Sequence, residues 1–181
     1  MSLLSNTWPE KKPFLFSDKT YFFKTLSSFK KNILLIPGAS FKSKCYPVEK
    51  FAEVATEIDA NFLIIWGNQK EKIMADKIKV LSPKVIICEK LSLDALISLI
   101  SQVDLVLGSD TGPTHMAWAL NKSSITLFGS TPGHRNSYIT KNNRIIESNS
   151  EVNPYKIDKN DYSIQDIDVH EIVQVYEDLL K

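Results

Sequence analysis

The stretch D-L-V-L-G-S-D-T-G-P-T-H, residues 104–115, decides the fold. Its first part, 104–108, is a short apolar run, which predicts a strand buried on both faces. Its second part leads into a predicted helix at 113–121, where Pro113 suits the first turn because only an unpaired N–H is lost there. A buried strand followed at once by a helix is the unit from which parallel α/β sheets are built.

The same alternation of strand and helix runs along the chain after residue 31. We predict strands at 32–37, 61–66, 84–88, 104–108, 124–128 and 144–147. Helices are predicted at 47–58, 69–80, 92–100, 113–121 and 168–180, with Ile73, Met74 and Ile78 facing inward in the second of them. Short connections between such elements imply right-handed βαβ units. The sequence therefore predicts an α/β fold, a Rossmann-like parallel sheet with helices on both faces.

The composition is that of a globular protein and argues against several functional classes. The chain has 181 residues and a net charge of +1, so no overall basic field favours nucleic-acid binding. No apolar run approaches the ~20 residues that span a bilayer, and residues 1–12 lack the apolar segment of a secretory signal. Cys45 and Cys88 match no metal-ligand spacing and are expected to be free thiols, and no His/Cys/Asp cluster suggests a bound metal.

The turn after the strand at 104–108 has the features of an anion site, because ligands bind beyond the carboxyl ends of parallel strands. Gly112 lets a ligand approach the backbone, and the free N–H groups of a helix start attract negative charge. Thr111, Thr114 and His115 add side-chain donors, and Asp110 suits sugar hydroxyls better than phosphate. The alternative is structural: one of residues 109–111 caps the helix and His115 packs beneath it.

Three further turns carry weaker signals. Residues 37–44 (PGASFKSK) join a strand to a helix with small residues and two lysines suited to phosphate, although on this stretch alone a solvated basic loop is the better explanation. Glu71 is either a ribose ligand or a carboxylate that stabilises its helix start. Residues 128–135 offer His134 and Arg135 but are typical of a surface loop, and the aspartates of 158–168 are typical of a solvated linker.

Together these motifs resemble glycosyltransferase family 9, the ADP-heptose:lipopolysaccharide heptosyltransferases. The resemblance rests on residues 110–120 (DTGPTHMAWAL) followed by 126–131 (TLFGST), and on the upstream residues 37–40 (PGAS) with 44–47 (KCYP). The resemblance covers about residues 32–181 and is greater to the heptosyltransferase I branch.

The resemblance implies the GT-B architecture, two Rossmann-like domains with the active site between them. The alternation fits one such domain, so residues 32–181 are expected to be the C-terminal, donor-binding half. Residues 1–31 are expected to be a cloning remnant and an interdomain linker. The family inverts the anomeric carbon with a carboxylate base in the other domain, so this chain alone is expected to be inactive as a transferase. Localisation is expected to be cytoplasmic, peripheral to the inner membrane.

The resemblance also assigns roles by motif position. The donor substrate would be ADP-L-glycero-β-D-manno-heptose, with a lipopolysaccharide core acceptor (Kdo-lipid A) and with neither cofactor nor metal. Lys44 would be catalytic, since it would stabilise the leaving diphosphate. The donor would be bound by Ala39, Ser40 and Lys44 at the phosphates, Glu71 at the ribose, Leu91 at the adenine, Asp110 at the heptose, and Thr111, Gly112 and His115 at phosphate. The alternatives are a UDP-sugar transferase or epimerase domain and a non-catalytic Rossmann-like nucleotide-binding module.

Overall fold

A computed structural model describes residues 21–150, 152–153 and 157–180, and these contain a six-stranded parallel sheet. The strand order is β3-β2-β1-β4-β5-β6, which is the order of a doubly wound Rossmann sheet. The fold class predicted from the sequence is therefore confirmed. Most of the predicted linker at 1–31 lies outside the described residues. The strands are β1 Asn32–Ile36, β2 Asn61–Ile64, β3 Ile86–Ile87, β4 Leu105–Ser109, β5 Ser123–Phe128 and β6 Asn143–Glu147.

The helices cover both faces of this sheet. They are α1 Val48–Glu57, α2 Gln69–Leu81, α3 Leu93–Gln102, α4 Gly112–Ala119, α5 Gly133–Asn136 and α6 Val169–Leu180, with 3₁₀ helices at Lys42–Lys44 and Ser163–Asp166. Successive residues of a strand point to opposite faces, so Ile33 packs in one core cluster and Leu34 in the other. The described part of the chain contains no helix with both the length and the apolar character needed to cross a membrane.

Strand β1 lies at the centre of the sheet, where the order of the strands reverses. It pairs with β2 on one side and with β4 on the other, so the loops that follow β1 and β4 leave in different directions. Gly108 is required for this pairing, because a Cβ there would lie 2.8 Å from the Ile36 Cβ and 2.9 Å from its carbonyl oxygen. The crevice at this edge is where the candidate site lies.

Two details of the predicted packing differ from the structure. Ile73 is 49% exposed and Met74 is half-buried, whereas Ala75 and Ile78 are the buried residues of α2. The predicted inward face was wrong for Ile73, because the buried stripe of α2 runs through Ala75 and Ile78. Ala75 lies roughly 200° around the helix axis from Ile73. The acidic segment is also more than a linker, since Ile164 and Ile167 within it are buried in the core.

Candidate functional site

A cavity of about 450 Å³ lies at the carboxyl ends of β1, β2 and β4. All the site residues predicted from the sequence line it, although they come from four separate turns. They are Ala39, Ser40, Lys44, Glu71, Leu91, Asp110, Thr111, Gly112 and His115. The sequence missed the apolar residues at one end, which are Ile65, Trp66 and Leu96.

The charged end of the cavity is built on a buried ion pair. The Lys44 ammonium donates to Asp110 Oδ2 over 2.6 Å, and the two side chains are 10% and 8% exposed. Lys44 is held by the 3₁₀ helix Lys42–Lys44, and Asp110 follows directly after β4. Because an unpaired buried charge is costly, each of these two groups offsets much of the cost of burying the other.

Asp110 is the centre of a wider polar cluster. His115 Nε2 lies 2.8 Å from Oδ1, and the Thr131 hydroxyl and the Asn136 amide donate to Oδ2 over 3.1 and 3.4 Å. Burial acts to raise the pKa of Asp110, but the hydrogen bonds from His115 and Lys44 outweigh it and hold that pKa at about 2. Asp110 is therefore ionised at neutral pH, with donors around both of its oxygens.

Both ring nitrogens of His115 have partners, and these partners fix its tautomer. Trp118, three residues further along α4, donates from its indole Nε1 to His115 Nδ1 over 3.1 Å. An indole nitrogen is a donor only, so Nδ1 must be the unprotonated nitrogen. The proton of the neutral ring is then on Nε2, from which it is donated to Asp110.

The start of α4 forms the wall beside this cluster. The Thr114 hydroxyl accepts from the Thr111 N–H over 3.1 Å and donates to the Ser109 carbonyl over 3.0 Å, so it closes the turn. Asp110 has its partners elsewhere, so helix capping does not explain it. At Gly112, a Cβ would meet no atom within 4 Å. Packing within the described residues therefore does not require a glycine at this position, which faces the cavity.

Glu71 is seated between the loops that follow β1 and β2. Its carboxylate accepts from the Gly67 N–H over 2.6 Å and from the Asn68 amide over 2.7 Å. A Cβ at Gly38 would lie 2.4 Å from the Glu71 Cγ, so this seat requires a residue without a side chain. Each carboxylate oxygen accepts one of these bonds and keeps a lone pair for a further donor.

The opposite end of the cavity is apolar. The Trp66 indole N–H donates to the Cys88 carbonyl over 2.9 Å, which fixes the ring beside Leu91 and Leu96. A pocket with a flat apolar end and a buried ammonium at the other end suits a ligand that combines a ring with an anionic group.

Two other sequence candidates do not line this cavity. Lys42 lines an adjoining groove, and His134 borders a separate cavity of about 250 Å³ beside Glu147. Thr131, in the loop after β5, and Asn136, at the end of α5, both contact Asp110, and the sequence analysis missed them because no local spacing connects them with it. Cys45 and Cys88 are free thiols as predicted, and burial raises the pKa of Cys88 to about 11.

Comparisons with known proteins show the family to which the chain belongs. The family model described as glycosyltransferase family 9 (heptosyltransferase) matches residues 9–163. Lipopolysaccharide heptosyltransferase 1 of Campylobacter coli is 37% identical over 164 residues, which are 85% of this chain and 48% of that protein. The chain therefore spans about half the length of this curated relative.

Solved structures show the same fold. The glycosyl transferase of family 9 from Veillonella parvula has a TM-score of 0.72 at 20% identity over 86% of this chain and 47% of its own. The heptosyltransferase WaaC of E. coli, solved with ADP, has a TM-score of 0.70 at 19% identity over 83% of this chain and 44% of its own.

Proposed function

Because this chain belongs to glycosyltransferase family 9, we propose that its sheet-edge cavity binds the nucleotide-sugar donor of a heptosyltransferase. The donor is ADP-heptose, ADP-L-glycero-β-D-manno-heptose, and the heptose passes to the inner core of lipopolysaccharide. The observation that supports this proposal most strongly is the buried Lys44 ammonium at the charged end of the cavity.

Lys44 has unused hydrogen-bonding capacity where a diphosphate would lie. An ammonium has three N–H donors, and among the described residues Asp110 alone accepts from it. A phosphate oxygen in the cavity can therefore accept from one of the remaining donors of Lys44. During transfer, negative charge grows on the leaving diphosphate oxygen, and a positioned ammonium stabilises that charge. Lys44 is therefore the proposed catalytic residue, and it supplies the positive charge without a metal or another cofactor.

The other lining residues divide along the donor. Ala39 and Ser40 lie beside Lys44 at the phosphates, and the helix start contributes the Thr111 hydroxyl and the Gly112 amide to the same anion. Glu71 accepts from the ribose through its remaining lone pairs, and Leu91, with Trp66, contacts the adenine.

Asp110 binds the heptose in this scheme, and its partners suggest how. Three groups of the protein contact Oδ2, whereas His115 alone contacts Oδ1 among the described residues, so Oδ1 keeps one of its two lone pairs. When the donor binds, Lys44 turns towards the diphosphate and this lone pair of Oδ1 accepts a sugar hydroxyl. Donor binding thus exchanges a contact within the protein for two contacts with the ligand. His115 acts in the donor site by supporting Asp110, since both of its ring nitrogens are engaged.

We place this chain as the donor-binding half of a two-domain GT-B enzyme. The acceptor, Kdo-lipid A of the lipopolysaccharide core, and the carboxylate that activates it by an inverting mechanism belong to the other domain. The 181-residue chain alone then binds the donor without transferring heptose, and the complete enzyme works at the cytoplasmic face of the inner membrane.

The proposal is tested by calorimetric titration of this chain with ADP, UDP and adenosine. Lys44→Met keeps the buried stem and removes the charge, and we expect it to weaken ADP roughly 10- to 150-fold while adenosine changes less than about twofold. Lys42→Met is the matched control, because Lys42 lines the adjoining groove.

Three results would contradict this proposal. Absence of ADP binding by a correctly folded chain would reject the donor site. A preference for UDP over ADP would favour a UDP-sugar enzyme. Equal losses of affinity for ADP and for adenosine in Lys44→Met would show that Lys44 does not contact the diphosphate.

A further inference from the structure

We propose that Trp118 is a positioning residue of the donor site, one that acts through His115 on Asp110 and Lys44. This inference rests on the proposed function. Trp118 does not line the cavity, so it has no direct contact with a bound donor there. Its effect passes through two hydrogen bonds in series, from the Trp118 indole to His115 and from His115 to Asp110.

The first bond selects the state of the imidazole. A neutral histidine has one donor and one acceptor nitrogen, and either nitrogen can carry the proton. The Trp118 indole nitrogen lies 3.1 Å from Nδ1 and its N–H occupies the Nδ1 lone pair, so a proton on Nδ1 would face the indole proton. The alternative tautomer is thereby disfavoured, and Nε2 remains the nitrogen that donates to Asp110.

The second bond decides how readily Lys44 can leave Asp110. With His115 donating to Oδ1 and Thr131 donating to Oδ2, the buried carboxylate keeps two partners after Lys44 turns away. An unprotonated Nε2 would present a lone pair to Oδ1, and the carboxylate would then depend more strongly on the ammonium. Since an uncompensated buried charge is costly, Lys44 would be held on Asp110 and less available to the diphosphate.

The surroundings of Trp118 fit this role. Its ring lies edge-on to His115, with the centroids 5.9 Å apart, and it packs against Tyr138 at 4.6 Å. These contacts hold the indole so that its N–H is directed at Nδ1. Trp118→Phe keeps an aromatic ring between His115 and Tyr138 and removes the N–H. Tyr138→Phe is the matched control, because it keeps the ring packed against Trp118 and leaves the indole in place.

The first measurement is the tautomer of His115 by long-range ¹H–¹⁵N NMR of this chain. The chain has 3 histidines, and loss of the signal in His115→Gln identifies the relevant ring. We expect Nδ1 to be unprotonated in the wild type and in Tyr138→Phe. In Trp118→Phe the tautomer with its proton on Nδ1 should become detectable beside the other. A wild-type His115 with its proton on Nδ1 would overturn the inference, whether or not the variant folds.

The second measurement is the affinity for ADP and for adenosine by calorimetry. Trp118→Phe should weaken ADP roughly three- to tenfold, the worth of one hydrogen bond, and leave adenosine within about twofold. In a His115→Gln background the same change should have no further effect, because the glutamine amide has no tautomer to fix. A merely structural role for Trp118 would instead lower both affinities and add to the effect of His115→Gln.

The outcomes separate this inference from the function on which it rests. If the wild type binds no ADP, the donor site and the role of Trp118 both fail. If the wild type binds ADP but Trp118→Phe changes neither the tautomer nor the ADP affinity, the proposed function stands and this inference is refuted.

Discussion

Gly112→Ala is the change that most directly separates a ligand site from a plain helix start. The residue is the first of α4, its φ is not positive, and a Cβ there would meet no atom within 4 Å. Gly108, four residues earlier, is the matched control. Its added Cβ would lie 2.8 Å from the side chain of Ile36 and 2.9 Å from its backbone.

These distances predict that Gly112→Ala raises the free energy of unfolding and that Gly108→Ala lowers it. An alanine that fits the native backbone stabilises a protein by about 0.4–1 kcal/mol, chiefly by restricting the unfolded chain. For a chain of this length Gly112→Ala should then raise the melting temperature by about 1–4 °C. Gly108→Ala forces β1 and β4 apart, and the overpacking should cost about 1–3 kcal/mol.

Binding should respond in the opposite direction. If a phosphate approaches the Gly112 backbone, the added methyl group occupies space that the anion needs. The clash should weaken ADP by about 1–3 kcal/mol, or roughly 5- to 150-fold. Gly112→Ala should therefore be at least as stable as the wild type and bind ADP poorly.

Thermal unfolding and ADP calorimetry on the wild type and the two variants test this reasoning. Wild-type ADP affinity in Gly112→Ala would show that no phosphate approaches this backbone. A loss of more than about 1 kcal/mol of stability in Gly112→Ala would show instead that the fold itself requires the glycine.

Two further predictions concern the carboxylates of the cavity. The pKa of Asp110 is depressed from 3.8 to about 2, so its ionisation contributes about 2 kcal/mol of stability that is complete above about pH 5 and is lost as the pH falls through 2. Urea unfolding of the wild type and of Asp110→Asn checks this. From pH 6 to pH 3 the variant should lose about 1 kcal/mol less stability than the wild type, and equal losses would refute the depressed pKa. Glu71→Gln should weaken the binding of ADP about tenfold but leave the binding of 2′,3′-dideoxy-ADP nearly unchanged. Equal losses of affinity for the two ligands in calorimetry would show that Glu71 does not contact the ribose.

The elements around the cavity could be predicted because their signals are local. The apolar run of β4 and the glycine and proline after it fix a strand, a turn and a helix within a dozen residues. The sequence of these elements predicted the parallel sheet, and the sheet alone predicts that its carboxyl edge collects the loops. For that reason Ser40, Glu71 and Asp110, which lie far apart in the chain, could be placed together in advance.

The contacts within the cavity could not be predicted, because they are not local. Lys44 belongs to a stretch that fits a solvated basic loop, yet it is buried because its counter-charge, 66 residues away, lies opposite it. Thr131 and Asn136 reach Asp110 through the path of an irregular loop, which leaves no periodic signal in the sequence. Trp118 does lie at helical spacing from His115, but a spacing of three residues does not reveal which ring nitrogen of His115 accepts a hydrogen bond from the indole.

The buried pair also answers a question that the sequence raises, namely why a carboxylate lies beside the proposed phosphate site. Such a pair is weak evidence for stability, since apolar residues of similar volume often serve a fold as well or better. Its arrangement here has a further consequence. Asp110 neutralises Lys44 in the absence of ligand, and His115, Thr131 and Asn136 stabilise Asp110 when Lys44 is withdrawn. An ammonium that is buried at low cost, and that can still turn towards an incoming diphosphate, requires a counter-charge with several other hydrogen-bond donors. In the proposed donor site, Asp110 therefore allows the Lys44 ammonium to be buried and still available to a diphosphate.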